Sequence, residues 1–293
     1  MTRFLEKTVP AFAWLCGAVF LAAIASVVGY LLYKGLRTLD PGLFFGDTAP
    51  LDALLMKRRV FGGIFPAMAG TVLLVVLSVG WAVPIGLAAG IYLAEYARGG
   101  TKDTLNFFFD ILAGLPSIVV GLFGFSLAVF LNKNVSARLH PCLLVSSVAL
   151  AFLVLPYIIR TTQVSLETVP PRVRMTARSM GATRLQNIFR VLLPQSLPGL
   201  SSGVILAIGR CAEDTAVIML TGAVATAGIP GSLLSHYEAL PFYIYYISAQ
   251  YADQRELATG YGASIVLLAV CLLLFFLAFL VRKSVTSRAL YRA

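Results

Sequence analysis

Arg210, Glu213 and Asp214 stand between two charge-free apolar runs, residues 191–209 and 215–237. Facing lipid at the middle of a membrane helix, each such charge costs about 2.5–3.5 kcal/mol on the translocon scale, so the three must face protein or water. Glu213 follows Arg210 by three residues and Asp214 by four, so on one helix both acids can reach the arginine. Two roles fit this group. It is either an ion-paired cluster that only fixes helix packing, or a site on the path of an anion. The second role has a definite chemistry. A guanidinium presents a planar fork that matches two oxygens of an oxyanion. A neighbouring carboxylate holds that fork in place until the anion arrives, and accepts a hydrogen bond from a protonated oxyanion. An anion lacking that donor leaves a buried acceptor unpaired and is disfavoured.

Other chemistry is not spelled out in the chain. There is no GxxxxGK[ST], so ATP binding through a P-loop is not expected. Cys16, Cys142, Cys211 and Cys271 sit in or beside apolar segments without a CxxC, and read as packing residues. His140 and His236 lie far apart in sequence, outside any HExxH context, and read as loop or interface residues. The expectation is a chain with no enzyme activity of its own, no metal and no cofactor.

The elements that must hold the central charges are membrane helices. The 293 residues are 59% hydrophobic and 12% charged, about half the charge of an ordinary soluble domain. Charge-free runs cover 8–33, 60–94, 111–132, 139–159, 191–209, 215–237 and 257–281. Each is roughly 20 residues or longer, enough to cross a hydrocarbon core. The alternating segments of a membrane barrel are not seen. Run 8–33 is too long for a cleavable signal and reads as a retained first helix. The fold class expected is all-α: a bundle of six transmembrane helices, at about 10–33, 65–94, 106–131, 142–160, 198–223 and 258–281. In this scheme the runs on either side of Arg210 share one helix. Residues 1–293 then form a single transmembrane domain.

Six spans put both termini on one side. Segments 1–9, 95–105, 160–197 and 282–293 hold fourteen Lys and Arg, and the opposite loops hold eight. That bias predicts cytoplasmic termini and a cytoplasmic 160–197 loop. It also accounts for the net charge of +10, so nucleic-acid binding is not expected. Lys57-Arg58-Arg59 run against the bias on the outer side. They fit a lipid-headgroup anchor, or a patch that attracts an anion or docks a partner. Asp110 reads as an interfacial residue at the cytoplasmic end of the third helix. Pro66, Gly70, Pro84, Gly86, Gly90, Gly114, Pro116, Gly121 and Gly124 suit close packing and kinks, which a bundle that rocks between two states would also use.

The loop at 161–197 is too structured for a mere connection. Pro170-Pro171 break the fourth helix, and Arg172–Met180 reads as a short helix. Gly181 suits a left-handed cap, and Thr183 suits the N-cap of a second helix. In that helix Leu185, Ile188, Phe189 and Leu192 share a face, and Leu193-Pro194 are expected to end it. Such an amphipathic segment either lies on anionic lipid or inserts as a strut into a cleft on a soluble partner.

The segment resembles the EAA loop of bacterial ABC importer permeases. Met175-Thr176-Ala177 stand where the family has Glu-Ala-Ala, Gly181 matches its glycine, and Val191-Leu192-Leu193-Pro194 close the motif. Further stretches are similar to the PstA-type permeases of phosphate importers: GGIFPAMAGT (62–71), LAEYARGG (93–100), LAGLPSIVVGLFG (112–124), LPYIIRTTQVSLETVP (155–170) and GATRLQNIFRVLLPQSLPG (181–199). PstC-type sister permeases share much of this pattern. The resemblance implies a type I importer permease for inorganic phosphate in the inner membrane. Its partners would be a PstC-like sister permease, a PstB-like ATPase dimer, a PstS-like phosphate-binding protein and the lipid bilayer. It implies a substrate path at Arg210, Asp214 and Thr215, with Glu213 in place of a family glycine and Asp214 in place of a glutamate. It also implies an ATPase-coupling surface drawn from Met175, Thr176, Ala177, Gly181, Ala182, Thr183, Arg184, Leu185, Ile188, Phe189, Leu193 and Pro194. Two other functions remain open on the residues: a permease for sulfate, molybdate or tungstate, and a membrane scaffold or sensor that does not transport.

Overall fold

The computed structural model describes residues 2–46, 63–136 and 140–291, with side chains described for 8–46, 63–136 and 140–284. The Lys57-Arg58-Arg59 triplet lies outside the described residues. In hydrocarbon an unpaired backbone group costs several kcal/mol, so uncharged runs close their hydrogen bonds within helices. Among the described residues the regular elements are all helical. The chain runs α1 (Thr2–Gly35), α2 (Pro41–Phe45), α3 (Phe65–Ile91), α4 (Gly99–Ala113), α5 (Ser117–Asn134), α6 (Leu143–Glu167), α7 (Pro171–Ser179), α8 (Arg184–Asn187), α9 (Leu193–Glu213), α10 (Ala216–Thr221), α11 (Leu240–Gln250) and α12 (Gln254–Tyr291). Wide five-residue π-turns extend α3 through Tyr92–Tyr96 and join α8 to α9 through Ile188–Leu192. Six helical stretches are long and apolar enough to cross a membrane, built on α1, α3, α5, α6, α8–α9 and α12.

Three boundaries differ from those expected. The helix expected at 106–131 is two helices, broken at Gly114-Leu115-Pro116. Pro116 offers no N–H, and the residue before a proline avoids the helical region. Of the two, α4 buries none of its residues, and α5 alone is a span. The helix expected at 198–223 begins earlier, at Leu193, and stops at Glu213. Asp214 takes an extended backbone, and the short α10 follows. Leu193-Pro194 do not end a helix. Pro194 sits in the first turn of α9, where a missing N–H is tolerated, and the π-turn before it carries the chain through without a break.

Helix α6 is the centre of the bundle. Its apolar window is 61% buried, against 0% for α1 at the edge. Helices α3, α9, α5 and α10 all pack against α6, while α1 touches α12. Small residues make the tightest approach possible. A Cβ on Gly86 would lie 2.7 Å from Ile158 Cγ2, and one on Gly90 would lie 2.5 Å from Thr162 Cβ, so α3 rests directly on α6 there. The main core joins Leu74, Leu150, Val154, Ile158, Ala207, Val217 and Ile218. A satellite cluster of Leu166, Val169, Ile188 and Leu192 closes the end that carries α7. At the opposite end, loop 222–239 is tied down by backbone bonds from Val224 N–H to Tyr237 O (3.0 Å) and from Leu144 N–H to Leu233 O (2.8 Å).

Candidate functional site

The central charges gather at the α9–α10 break. Arg210, in the last turn of α9, donates from Nη1 to Glu213 Oε1 at 3.1 Å. The Arg210 side chain is 39% exposed and that of Glu213 is 63% exposed, so the bond spans an open surface of this chain. Arg210 Nε is buried and has no hydrogen-bond partner among the described residues. Asp214 does not join the pair as its spacing suggested. It is buried, and its Oδ1 accepts the Val217 N–H at 2.8 Å. The reason is the helix break. Four residues after Arg210 the chain has left the helix, so the expected one-turn geometry is lost and the carboxylate caps α10 instead. Thr215 is half-buried, with its carbonyl accepting the Met219 N–H at 3.0 Å. Irregular backbone within a membrane protein is tolerated where it is packed in protein or lines a cavity. Thus one arginine is left with a free donor and a single exposed acid beside it.

The second group lies at the α7 end. Gly181 turns the chain at φ +81°, the left-handed region that glycine adopts at little cost. Thr183 then starts α8 with a full capping box: its Oγ1 accepts the Gln186 N–H at 3.3 Å, and Gln186 Oε1 accepts the Thr183 N–H at 2.9 Å. Met175, Thr176, Leu185 and Phe189 are exposed, and Ala177, Ala182, Leu193 and Pro194 are half-buried. Ile188 does not share an outward face with Leu185 and Phe189. It is buried with Leu192 against Leu166 and Val169, because the π-turn shifts the register within that helix. The outward apolar set is therefore Met175, Met180, Leu185 and Phe189.

Glu95, which sequence reasoning passed over, organises this end. It sits in the π-turn that prolongs α3, and its side chain is 3% exposed. Arg174 of α7 pairs with its carboxylate and also donates to the Leu166 carbonyl. Arg178 approaches Glu95 Oε2 at 3.9 Å. Arg184 donates to the Glu95 main-chain carbonyl, and its guanidinium lies 4.5 Å over the Tyr96 ring. The one available signal was an acid closing an apolar run inside LAEYARGG. Nearby, Lys102 of α4 pairs with Glu167 of α6 at 2.7 Å. At the opposite end His140 and His236 meet ring to ring, with centroids 4.8 Å apart.

A six-span bundle with a glycine-turned, arginine-rich loop between its fourth and fifth spans can be compared with known proteins. The family model for the inner membrane component of binding-protein-dependent transport systems matches residues 86–287. The chain belongs to this family. As an inner membrane component of such a system it is a multi-pass membrane protein and a transport subunit. It is 31% identical to the phosphate transport system permease protein PstA of Haemophilus influenzae, over 89% of this chain and 86% of that protein. It is 34% identical to PstA of Yersinia pestis, over 82% of this chain and 77% of that protein. Its fold matches a chain in the structure of a bacterial alginate ABC transporter with TM-score 0.64 at 17% identity, over 96% of this chain and 98% of the other. It also matches the methionine transporter MetNI in an inward-facing form, with TM-score 0.58 at 18% identity, over 82% and 100%. At those identities the structures speak for the type I importer permease fold alone.

Proposed function

We propose that this inner membrane component is the permease subunit of an ATP-driven importer of inorganic phosphate. The observation that carries this is the relation to PstA permeases across nearly nine-tenths of the chain. The half-open Arg210 supports it: its side chain is 39% exposed, and a guanidinium fork suits a tetrahedral oxyanion. In this proposal Arg210 receives phosphate, Glu213 holds the fork until phosphate displaces it, and Asp214 and Thr215 shape the break along the path. Residues 1–293 act as a single transmembrane permease domain. Both termini and the 161–197 loop lie in the cytoplasm, as the Lys and Arg bias requires.

A PstB-like ATPase dimer would grip α7 and the exposed Leu185 and Phe189 from below. A PstC-like sister permease would complete the path across the bilayer, and a PstS-like protein would deliver phosphate from outside. ATP hydrolysis in the separate ATPase subunit would drive the change between the two open faces. The test is uptake of radiolabelled phosphate into proteoliposomes that hold the subunit with its partners, with ATP inside and binding protein outside. Uptake by wild type and its loss in Arg210→Ala, with the ATPase still assembled, is the expected result. ATP-driven uptake of sulfate, molybdate or tungstate but not phosphate would overturn the substrate assignment. ATP hydrolysis without any uptake would bring forward a scaffold or sensor role.

A further inference from the structure

The segment from α7 to the π-turn before α9 is fastened to the bundle in two ways. It packs through Leu166, Val169, Ile188 and Leu192, and Ile91 and Ala94 of the α3 span lie against the same apolar cluster. Toward α3, a different span, its polar ties run to Glu95 and Tyr96. These ties gather arginines from both sides of the Gly181 turn onto one residue. Glu95 is an acid with 3% of its side chain exposed, and Arg174 has 21% exposed. Out of water, such a pair holds geometry far more firmly than a surface pair, because a displaced partner leaves a buried charge uncompensated. Arg178 is half exposed and 3.9 Å away, so it adds little. Within α7 the arginines surround Met175, which is exposed, and the helix carries no acid of its own. The arginines around it are therefore answered by an acid on another helix.

We propose that Glu95 is the positioning residue that couples the ATPase-docked segment to α3. When α7 is moved from below, the Glu95–Arg174 pair ties that movement to α3 more firmly than the apolar contact of Ile91 and Ala94 does alone. Through Gly86 and Gly90, α3 lies directly on α6. The clamp thus makes α3, α6 and α9 move as one body. This rests on the transport assignment above, and on the placement of the ATPase at the α7 end.

The experiment uses the assembled complex in proteoliposomes and reads phosphate taken up per ATP hydrolysed. Glu95→Gln and Arg174→Gln should each lower that ratio by about tenfold, the scale of a lost coupling contact, while the ATPase subunit still co-purifies. Glu95→Asp should keep most of it, and Arg178→Gln should leave it near wild type. A wild-type ratio in Glu95→Gln would overturn the proposal. So would failure of both Glu95→Gln and Glu95→Asp to assemble, which would make the residue a folding element only. If the wild-type complex hydrolyses ATP but moves no phosphate, the substrate assignment has failed separately. The clamp is then judged by how strongly the binding protein stimulates ATP hydrolysis. Stimulation lost in Glu95→Gln and kept in Glu95→Asp supports the clamp, and stimulation unchanged in Glu95→Gln overturns it.

Discussion

Arg174 and Arg210 are both arginines beside a glutamate, and their surroundings make them opposites. Arg174 is enclosed. Its acid comes from another helix, it donates to the Leu166 carbonyl, and its Nε reaches the Val169 carbonyl at 3.3 Å. Arg210 is half-open, its acid is three residues along the same helix, and one buried donor remains unused. A fully satisfied guanidinium fixes a position. A partly satisfied one has bonds to give. The contrast teaches that the number of partners and the side they come from separate a fastening from a binding position, although both read as Arg plus Glu in the sequence.

The largest expected effect tests the open half of this contrast. Arg210→Ala should reduce phosphate uptake about 100-fold, the worth of two charge-assisted hydrogen bonds, with assembly unchanged. Arg210→Lys should recover only part of it, since an ammonium lacks the fork. Uptake unaffected by both would remove the distinction altogether. Next comes the geometry of the enclosed end. Gly181→Val forces a branched side chain to φ +81°. It should cost about 1–2 kcal/mol in thermal unfolding of the purified protein. Thr183→Ala removes the capping box and should cost about 1 kcal/mol in the same measurement.

A subtler sharpening uses Glu213. It is exposed, so Glu213→Gln should change stability little. It should free the Arg210 fork and lower the KM for phosphate by about threefold, a loss of one competing surface ion pair. A raised KM would show that Glu213 helps to bind the anion. The smallest effect concerns Glu238, a buried acid with no arginine paired to it among the described residues. Burial pushes its carboxyl above the usual carboxylate range, and the Gly228 N–H at 2.7 Å only partly opposes this. The folded protein then holds that proton more tightly than the unfolded chain does. Stability is lost as pH rises from the ordinary value through the raised one. As pH rises from the ordinary carboxylate range upward, wild type should therefore lose more melting temperature than Glu238→Gln. Equal slopes would mean that burial does not hold the Glu238 proton.

The spans were legible because hydropathy states them directly, and the six expected helices each overlap one of the six spanning stretches. Gly181 and Thr183 were legible because cap geometry is local. The breaks at Leu115-Pro116 and Asp214 were hidden by continuous apolar composition on either side, which hides a change of direction within a run. The Asp214 role was misjudged because helical spacing was carried past the end of a helix. The π-turn at Ile188–Leu192 likewise divided a face that regular spacing had united. Glu95 was missed for a different reason. Its partners Arg174 and Arg184 lie 79 and 89 residues away, and periodicity within one segment holds no information about them.

The two π-turns occupy the ends of neighbouring spans, Tyr92–Tyr96 after α3 and Ile188–Leu192 before α9. Each winds one more residue into its hydrogen-bonded loop than a regular helical turn would. The wider turn spaces successive side chains differently around the axis from a regular helix. The same short segment therefore shows two opposite faces: Ile188 and Leu192 are sunk into the bundle, while Leu185 and Phe189 stand free as a handle on its outside.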